Sequence, residues 1–253
     1  MGKEKRITDR VGTELKMKNG LVATCISYNN ANSITVRFHD GLEVHTSWKA
    51  FSIGEVKNKN VKTAWGVGFI GEGRYSTVDE NNERLHVYVL WRNMLERCYG
   101  SRYKDNKAYE GCTVDKDWHN YQNFAKFYYN NFYEVDGERM ELDKDILVKG
   151  NKIYSNDTCI FVPQRVNSLL IKQRKKNNEL PIGVNTDGSR FYAYITIEKK
   201  RRGLGGYATP EEAFQAYKAA KEEYIQKVAL EYKYKIPARL FVALMNYEVD
   251  IND

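Results

Sequence analysis

Gly183–Ile225 reads GVNTDGSRFYAYITIEKKRRGLGGYATPEEAFQAYKAAKEEYI, and the change of period inside it decides the architecture of the C-terminal third. Arg190–Ile197 alternates. Phe191, Ala193, Ile195 and Ile197 fall on one side, and Arg190, Tyr192, Tyr194 and Thr196 on the other, which is the signature of a strand with one buried face. Asp187-Gly188 supplies a turn before that strand, and the basic run Lys199–Arg202 supplies one after it. Three strands are therefore expected, over 182–186, 190–198 and 202–207. Thr209-Pro210-Glu211-Glu212 then opens a helix, with threonine as N-cap, proline in the first turn and two acids where the helix dipole favours them. Ala213, Ala216, Tyr217 and Ala220 give it a small, close-packing face as far as Val228. The apolar side of the middle strand meets this helix. The other side leaves Arg190, Tyr192 and Tyr194 exposed beside Lys199, Lys200, Arg201 and Arg202, which suits a sheet laid into the major groove of double-stranded DNA.

Charge is concentrated in the same region. The 253-residue chain carries a net +7, and Lys172–Arg202 alone has nine Lys and Arg against three acids. Lys175 and Lys176, in the connector KQRKKNNELP, extend the expected DNA-binding surface. RNA is a second possible partner, because a basic aromatic sheet face also stacks unpaired bases. A hydrophobic fraction of 42% with 13% aromatics excludes a disordered chain, and the apolar runs are too short to span a bilayer, so no membrane partner is expected. MGKEKRITDR has no apolar core of an export signal, which points to the cytoplasm. Cys25, Cys98, Cys112 and Cys159 lack any CxxC pair and read as free thiols rather than bridges or a zinc site.

Outward from this third, the fold class is α+β and multidomain. Residues 1–57 read as a small five-stranded β-barrel module, because Asn19-Gly20, Asn29-Asn30 and Asp40-Gly41 separate alternating runs at Thr13–Met17, Leu21–Tyr28, Ile34–Phe38 and Leu42–Thr46. Such modules often bind a protein partner, and Arg37, His39 and Lys49 are read equally well as a solvated face. The glycine-rich GVGFIGEGRY, Gly66–Tyr75, lacks the strand before and the GK[ST] helix start after it that a phosphate loop needs, and reads as a connector. From Tyr88, Val89, Trp91, Met94, Leu95 and Cys98 form one helical stripe. A second helix is expected over Asp117–Asn131. Met140–Leu147 and Thr158–Val162 read as strands around a Lys149-Gly150-Asn151 turn, and Pro163 starts a helix through Leu170.

Two resemblances follow from these segments. Gly183-Val184, Ala193, Ile195, Leu204-Gly205, Tyr207, Thr209, Glu211-Glu212-Ala213, Ala216-Tyr217 and Ala219-Ala220 resemble the APETALA or ethylene-response type of DNA-binding domain. The resemblance implies DNA contacts from arginines and aromatics of the sheet, although Asn185 stands where the plant proteins carry arginine. WRNMLERCYGSRY (91–103), YEGCTVDKDWHNYQNFAKF (109–127) and LDKDILVKGNKIYSNDTCIFVPQRVN (142–167) resemble phage proteins related to HNH homing endonucleases. Together the resemblances cover residues 65–250 and imply a degenerate HNH-like ββα domain with added helices over 58–171. A connector and sheet domain follow over 172–253. In the HNH pattern Asp143 takes the metal-binding aspartate, Lys144 the place of the histidine base, Asn156 that of the central asparagine, and Asn167 the helix ligand for Mg²⁺ or Mn²⁺. A lysine near its ordinary pKa of about 10.4 is a poor base at neutral pH. His39, His45, His86 and His119 all lie outside the motif. Three activities stay open: DNA binding without cleavage in a bacterial host cell, metal-dependent nicking or cleavage, and a protein-directed block of a host defence complex.

Overall fold

Short hairpins open the chain, and longer helices follow, in the computed structural model, which describes residues 10–170 and 180–251. In chain order the elements are β1 (Glu14–Lys16), β2 (Val22–Asn30), β3 (Ser33–Phe38), β4 (Glu43–Thr46), α1 (Trp48–Ser52), α2 (His86–Tyr99), β5 (Thr113–Val114) and α3 (Tyr121–Asn131). They continue with β6 (Met140–Asp143), β7 (Ile153–Tyr154), β8 (Ile160–Pro163), α4 (Gln164–Leu170), β9 (Val184–Thr186), β10 (Phe191–Ile197), β11 (Lys200–Tyr207), α5 (Pro210–Glu231) and α6 (Ala238–Met245). The fold is mixed α+β with several small sheets. Two compact units form, one from residues up to 102 with 116–126, the other from 103–115 with residues from 127 onward. Among the described residues no helix is long and apolar enough to cross a membrane.

The first unit corrects the expected barrel. β1–β4 form an open antiparallel sheet in sequence order, and β1 and β4 do not pair, so nothing closes. After β4 the Ser47 hydroxyl accepts the Ala50 amide at 3.2 Å and caps α1, so the chain continues there as a helix and adds no fifth strand. Phe51 of that helix is fully buried against Cys25, Ile34, Val36 and Phe38, so a helix covers the sheet face that a closing strand would have covered.

The stripe on α2 is also shifted. Val87, Trp91, Met94 and Leu95 are buried, whereas Val89 is 37% exposed and Cys98 is half-buried. The Trp91 indole N–H donates to the Trp118 carbonyl at 2.7 Å. The next helix starts at Tyr121 instead of Asp117, because Lys116–His119 forms a 3-10 turn. Pairing with the glycine-rich segment interrupts it there: the Phe69 amide donates to His119 O and the Tyr121 amide to Phe69 O, both at 2.9 Å. Gln122 holds the same segment through the Tyr75 amide (2.9 Å) and carbonyl (3.0 Å). A Cβ on Gly71 would lie 2.2 Å from the Asn120 carboxamide oxygen, and its φ is +70°, so this position requires glycine. GVGFIGEGRY is thus an integral part of the first unit.

In the second unit β6 pairs antiparallel with β8 from Met140↔Pro163 to Asp143↔Ile160, and β5 pairs parallel with β7. β6 ends four residues earlier than its apolar pattern suggests, because the Asp143 carboxylate accepts the amides of Asp145 and Ile146, each at 2.8 Å, and turns the chain. Phe127, Tyr128 and Phe132 pack on Phe161. α4 reaches α5 through Arg165, which pairs with Glu231 at 2.9 Å, while the Tyr232 hydroxyl hydrogen-bonds Glu138. The three-stranded sheet has the order β11-β10-β9, and Ala193 and Ile195 are buried on α5 through Ala213, Phe214 and Tyr217. A capping box at Thr209 and Glu212 starts α5, which extends to Glu231. Beyond α5 the chain forms α6, packed on α5, and Val249 enters the sheet's core.

Candidate nucleic-acid interface

The strand register sorts the basic residues by face. Across β10 and β11, Tyr192 stands opposite Gly206, Tyr194 opposite Gly203 and Thr196 opposite Arg201. These pairs share the side turned away from α5, since Ala193 and Ile195 between them are in the core. A bulge between Ala193 and Tyr194 preserves this side for Arg201 and turns Leu204 toward the core. Lys200 and Arg202 stand opposite Ile197 and Ile195, on the other side of the ribbon, and are exposed. The expected basic turn is a correction in detail: the turn is Glu198-Lys199 alone, both at positive φ, and Lys200, Arg201 and Arg202 belong to β11.

On the outer side the Arg201 guanidinium lies 3.9 Å from the centre of the Tyr194 ring. A guanidinium stacked in this way keeps its N–H edge free for a base or phosphate and loses less freedom on binding than an unsupported one. Tyr192 is fixed by Asp187, whose carboxylate accepts the tyrosine hydroxyl at 2.8 Å and, through its other oxygen, the amides of Ser189 and Arg190 at 2.9 Å. Those backbone donors, with the Tyr192 hydroxyl, hold the Asp187 carboxyl well below the usual range, and the same bond raises the Tyr192 phenol. Gly203 and Gly206 leave the strand beside the two tyrosines without side chains, so the face is shallow. Arg190 is exposed next to this face. Lys175 and Lys176 lie outside the described residues.

The residues singled out by the HNH resemblance have different local partners. Asp143 ends β6 with one oxygen taken by the two turn amides. Lys144 is buried, 3.6 Å from the Asp145 carboxylate and 5.7 Å from the centre of the Tyr154 ring. Asn156 is exposed and hydrogen-bonds only the adjacent Asp157 among its described partners. Asn167 donates to Glu141 at 2.6 Å, a residue that the motif had not singled out, although the alternation of β6 puts it on the same side as Asp143. Among the described residues no group of three His, Cys, Asp or Glu is disposed to hold a metal ion. The turn amides engage one Asp143 oxygen and Glu141 engages the Asn167 amide, and no chemical step is derived through a metal ion. His119 packs edge-on against Tyr99, with ring centres 5.9 Å apart, as a structural residue of the first unit.

Burial first, and then the Asp145 charge, push the Asp143 carboxyl up to about 6, against the pull of the turn amides and Lys144. Its folded pKa exceeds the unfolded value of about 3.9, so the native state binds the extra proton and stability falls as pH rises between about 4 and 6. Asp143→Asn retains an acceptor for both amides and carries no charge. It is expected to abolish that slope and to stabilise the fold at neutral pH by about 1–3 kcal/mol, which urea unfolding across the pH range measures. A loss of stability at neutral pH would mean that the ionised carboxylate is required. Burial also raises Cys112, and raises Cys159 to about 12, so both stay protonated thiols.

No protein-family model, curated protein or solved structure matches the chain.

Proposed function

We propose that this is a double-stranded DNA-binding protein, related to the HNH homing endonucleases of phages, that acts by occupying its site. The observation that carries the reading is the outer face of β9–β11, where Arg201 is stacked on Tyr194 and Asp187 holds Tyr192 in place on a strand pair kept shallow by glycines. Lys199 of the turn and Arg190 beside the strand rim this face and follow a phosphate backbone, while the stacked Arg201 offers its fork to base edges. Two local features favour binding over cleavage: Asp143 and Asn167 hydrogen-bond different partners, and the lysine that the resemblance puts in place of the histidine base is buried.

The test is purified protein on supercoiled plasmid with EDTA, Mg²⁺ or Mn²⁺ across a salt series. A retarded, intact plasmid in every lane is expected. Relaxed or linear product that needs the metal and disappears in Asp143→Ala would replace this reading with that of a nicking or cleaving endonuclease. A complex with host protein that survives high salt and nuclease treatment, without plasmid retardation, would replace it with a protein-directed role.

A further inference from the structure

The first unit contains a pocket of about 190 Å³ between α2 and the Ala64–Gly68 turn. Tyr88, Arg92 and Glu96 stand four residues apart on α2 and line one side with Asn93, and Arg84 enters from just before the helix. Trp65 forms the opposite wall. It is held at φ +54°, a left-handed conformation that a bulky side chain rarely adopts. Two contacts hold it there: its indole N–H donates to the Arg92 carbonyl at 3.1 Å, and the Arg92 guanidinium lies 5.7 Å from the indole ring centre. Gly68, which closes the turn by donating to Ala64 O at 2.8 Å, sits directly against Trp91 and Leu95 of the core. The core on the inner side of α2 therefore over-determines the position of an indole on its outer side. Backbone strain of this kind gathers at ligand clamps.

The lining is specific in its chemistry. An indole face accepts the π-face of any flat heterocycle. Arg84 and Arg92 offer guanidinium groups to a phosphate. Asn93 and Glu96 supply a carboxamide and a carboxylate for the polar edge of a ring, and a carboxylate selects an amino group. The volume is small beside the several hundred Å³ of most ligand pockets and suits a single ring system.

We infer that this pocket binds one unpaired nucleotide, with its base against Trp65, an exocyclic amine facing Glu96 and its phosphate at Arg84. The nucleotide can be free or part of a strand. The inference is independent of the duplex reading of the β9–β11 sheet, which lies in the other unit.

Equilibrium dialysis of the full chain against dCMP, dTMP, deoxycytidine and inorganic phosphate tests it. Saturable dCMP binding is expected, with deoxycytidine and dTMP each weaker by about tenfold, as for removal of one charge-assisted hydrogen bond. Arg84→Glu should weaken dCMP by about tenfold or more at an unchanged melting temperature, since Arg84 is exposed. Glu96→Gln should remove the preference for dCMP over dTMP. A hairpin oligonucleotide with one unpaired cytosine, compared with its fully paired form, distinguishes the sources: tighter binding of the unpaired form assigns the pocket to a strand, and equal binding assigns it to free nucleotides. The inference is overturned by the absence of saturable dCMP binding at millimolar concentration, by inorganic phosphate binding as well as dCMP, or by wild-type affinity in Arg84→Glu.

Discussion

Replacing Lys199, Lys200 and Arg201 with alanine is expected to weaken duplex binding and to reduce the slope of log affinity against log salt by up to about 2.7, at about 0.9 for each phosphate no longer neutralised. Over a fourfold rise in salt, such a change in slope removes roughly fortyfold of the salt-induced weakening. Geometry divides the effect among the three. Arg201 is on the outer face with its guanidinium on Tyr194, Lys199 is in the turn, and Lys200 is on the opposite side of the ribbon. Arg201→Ala alone should therefore account for more of the decrease in affinity than Lys200→Ala, and it should also reduce discrimination between sequences, because a stacked guanidinium can read base edges as well as phosphate. Gel retardation across a salt series with the triple and single variants measures all of this. An unchanged slope in the triple variant would remove β11 from the interface.

Gly183→Ala is expected to destabilise the second unit by about 2–5 kcal/mol, from about 1–3 for overpacking and about 1–2 for a left-handed alanine. Gly183 has φ +76°, and a Cβ there would lie 2.2 Å from the Tyr217 ring, which is only 5% exposed in the core between the sheet and α5. Relaxation is restricted because the Gly183 carbonyl accepts the Tyr194 amide at 2.8 Å, next to the proposed interface. Adding Tyr217→Leu should recover the overpacking share and leave the left-handed share. Urea unfolding of the single and double variants separates the two. Tolerance of the single change within about 0.5 kcal/mol, the range of ordinary surface substitutions, would contradict the packing of α5 on this sheet. Affinity for DNA should fall with stability in Gly183→Ala, whereas Arg201→Ala should lower affinity with no loss of fold.

The sequence was most legible where local chemistry and tertiary packing agree. The alternation of Arg190–Ile197 predicted which residues face α5, and the Thr209 to Glu212 signature predicted where that helix begins. The four N-terminal strands were readable from their turns, yet the sheet they form is open, and after β4 a serine caps a five-residue helix that periodicity does not detect. The early end of β6 shows the same limit of pattern reading. Ile146 and Leu147 continue an apolar run, but the turn is made by Asp143 taking amides from two following residues. The Asn167–Glu141 pair needed the fold, since its partners are separated by 26 residues of chain and meet only when α4 lies along β6.

What the sequence determined by itself was the set of elements with a strong period, the concentration of cations after residue 172 and the side of β10 that is buried. These properties depend on neighbours one to four residues apart, and local sterics and hydrophobic pattern suffice for them. Only the tertiary structure decided which cations share a face, because the bulge between Ala193 and Tyr194 sets the register that separates Arg201 from Lys200 and Arg202. It also decided that Gly66–Tyr75 pairs with the start of α3, and that Trp65 is held in a strained turn over Arg92. Those arrangements depend on backbone hydrogen bonds and packing between segments more than twenty residues apart, where a linear pattern carries no geometric information.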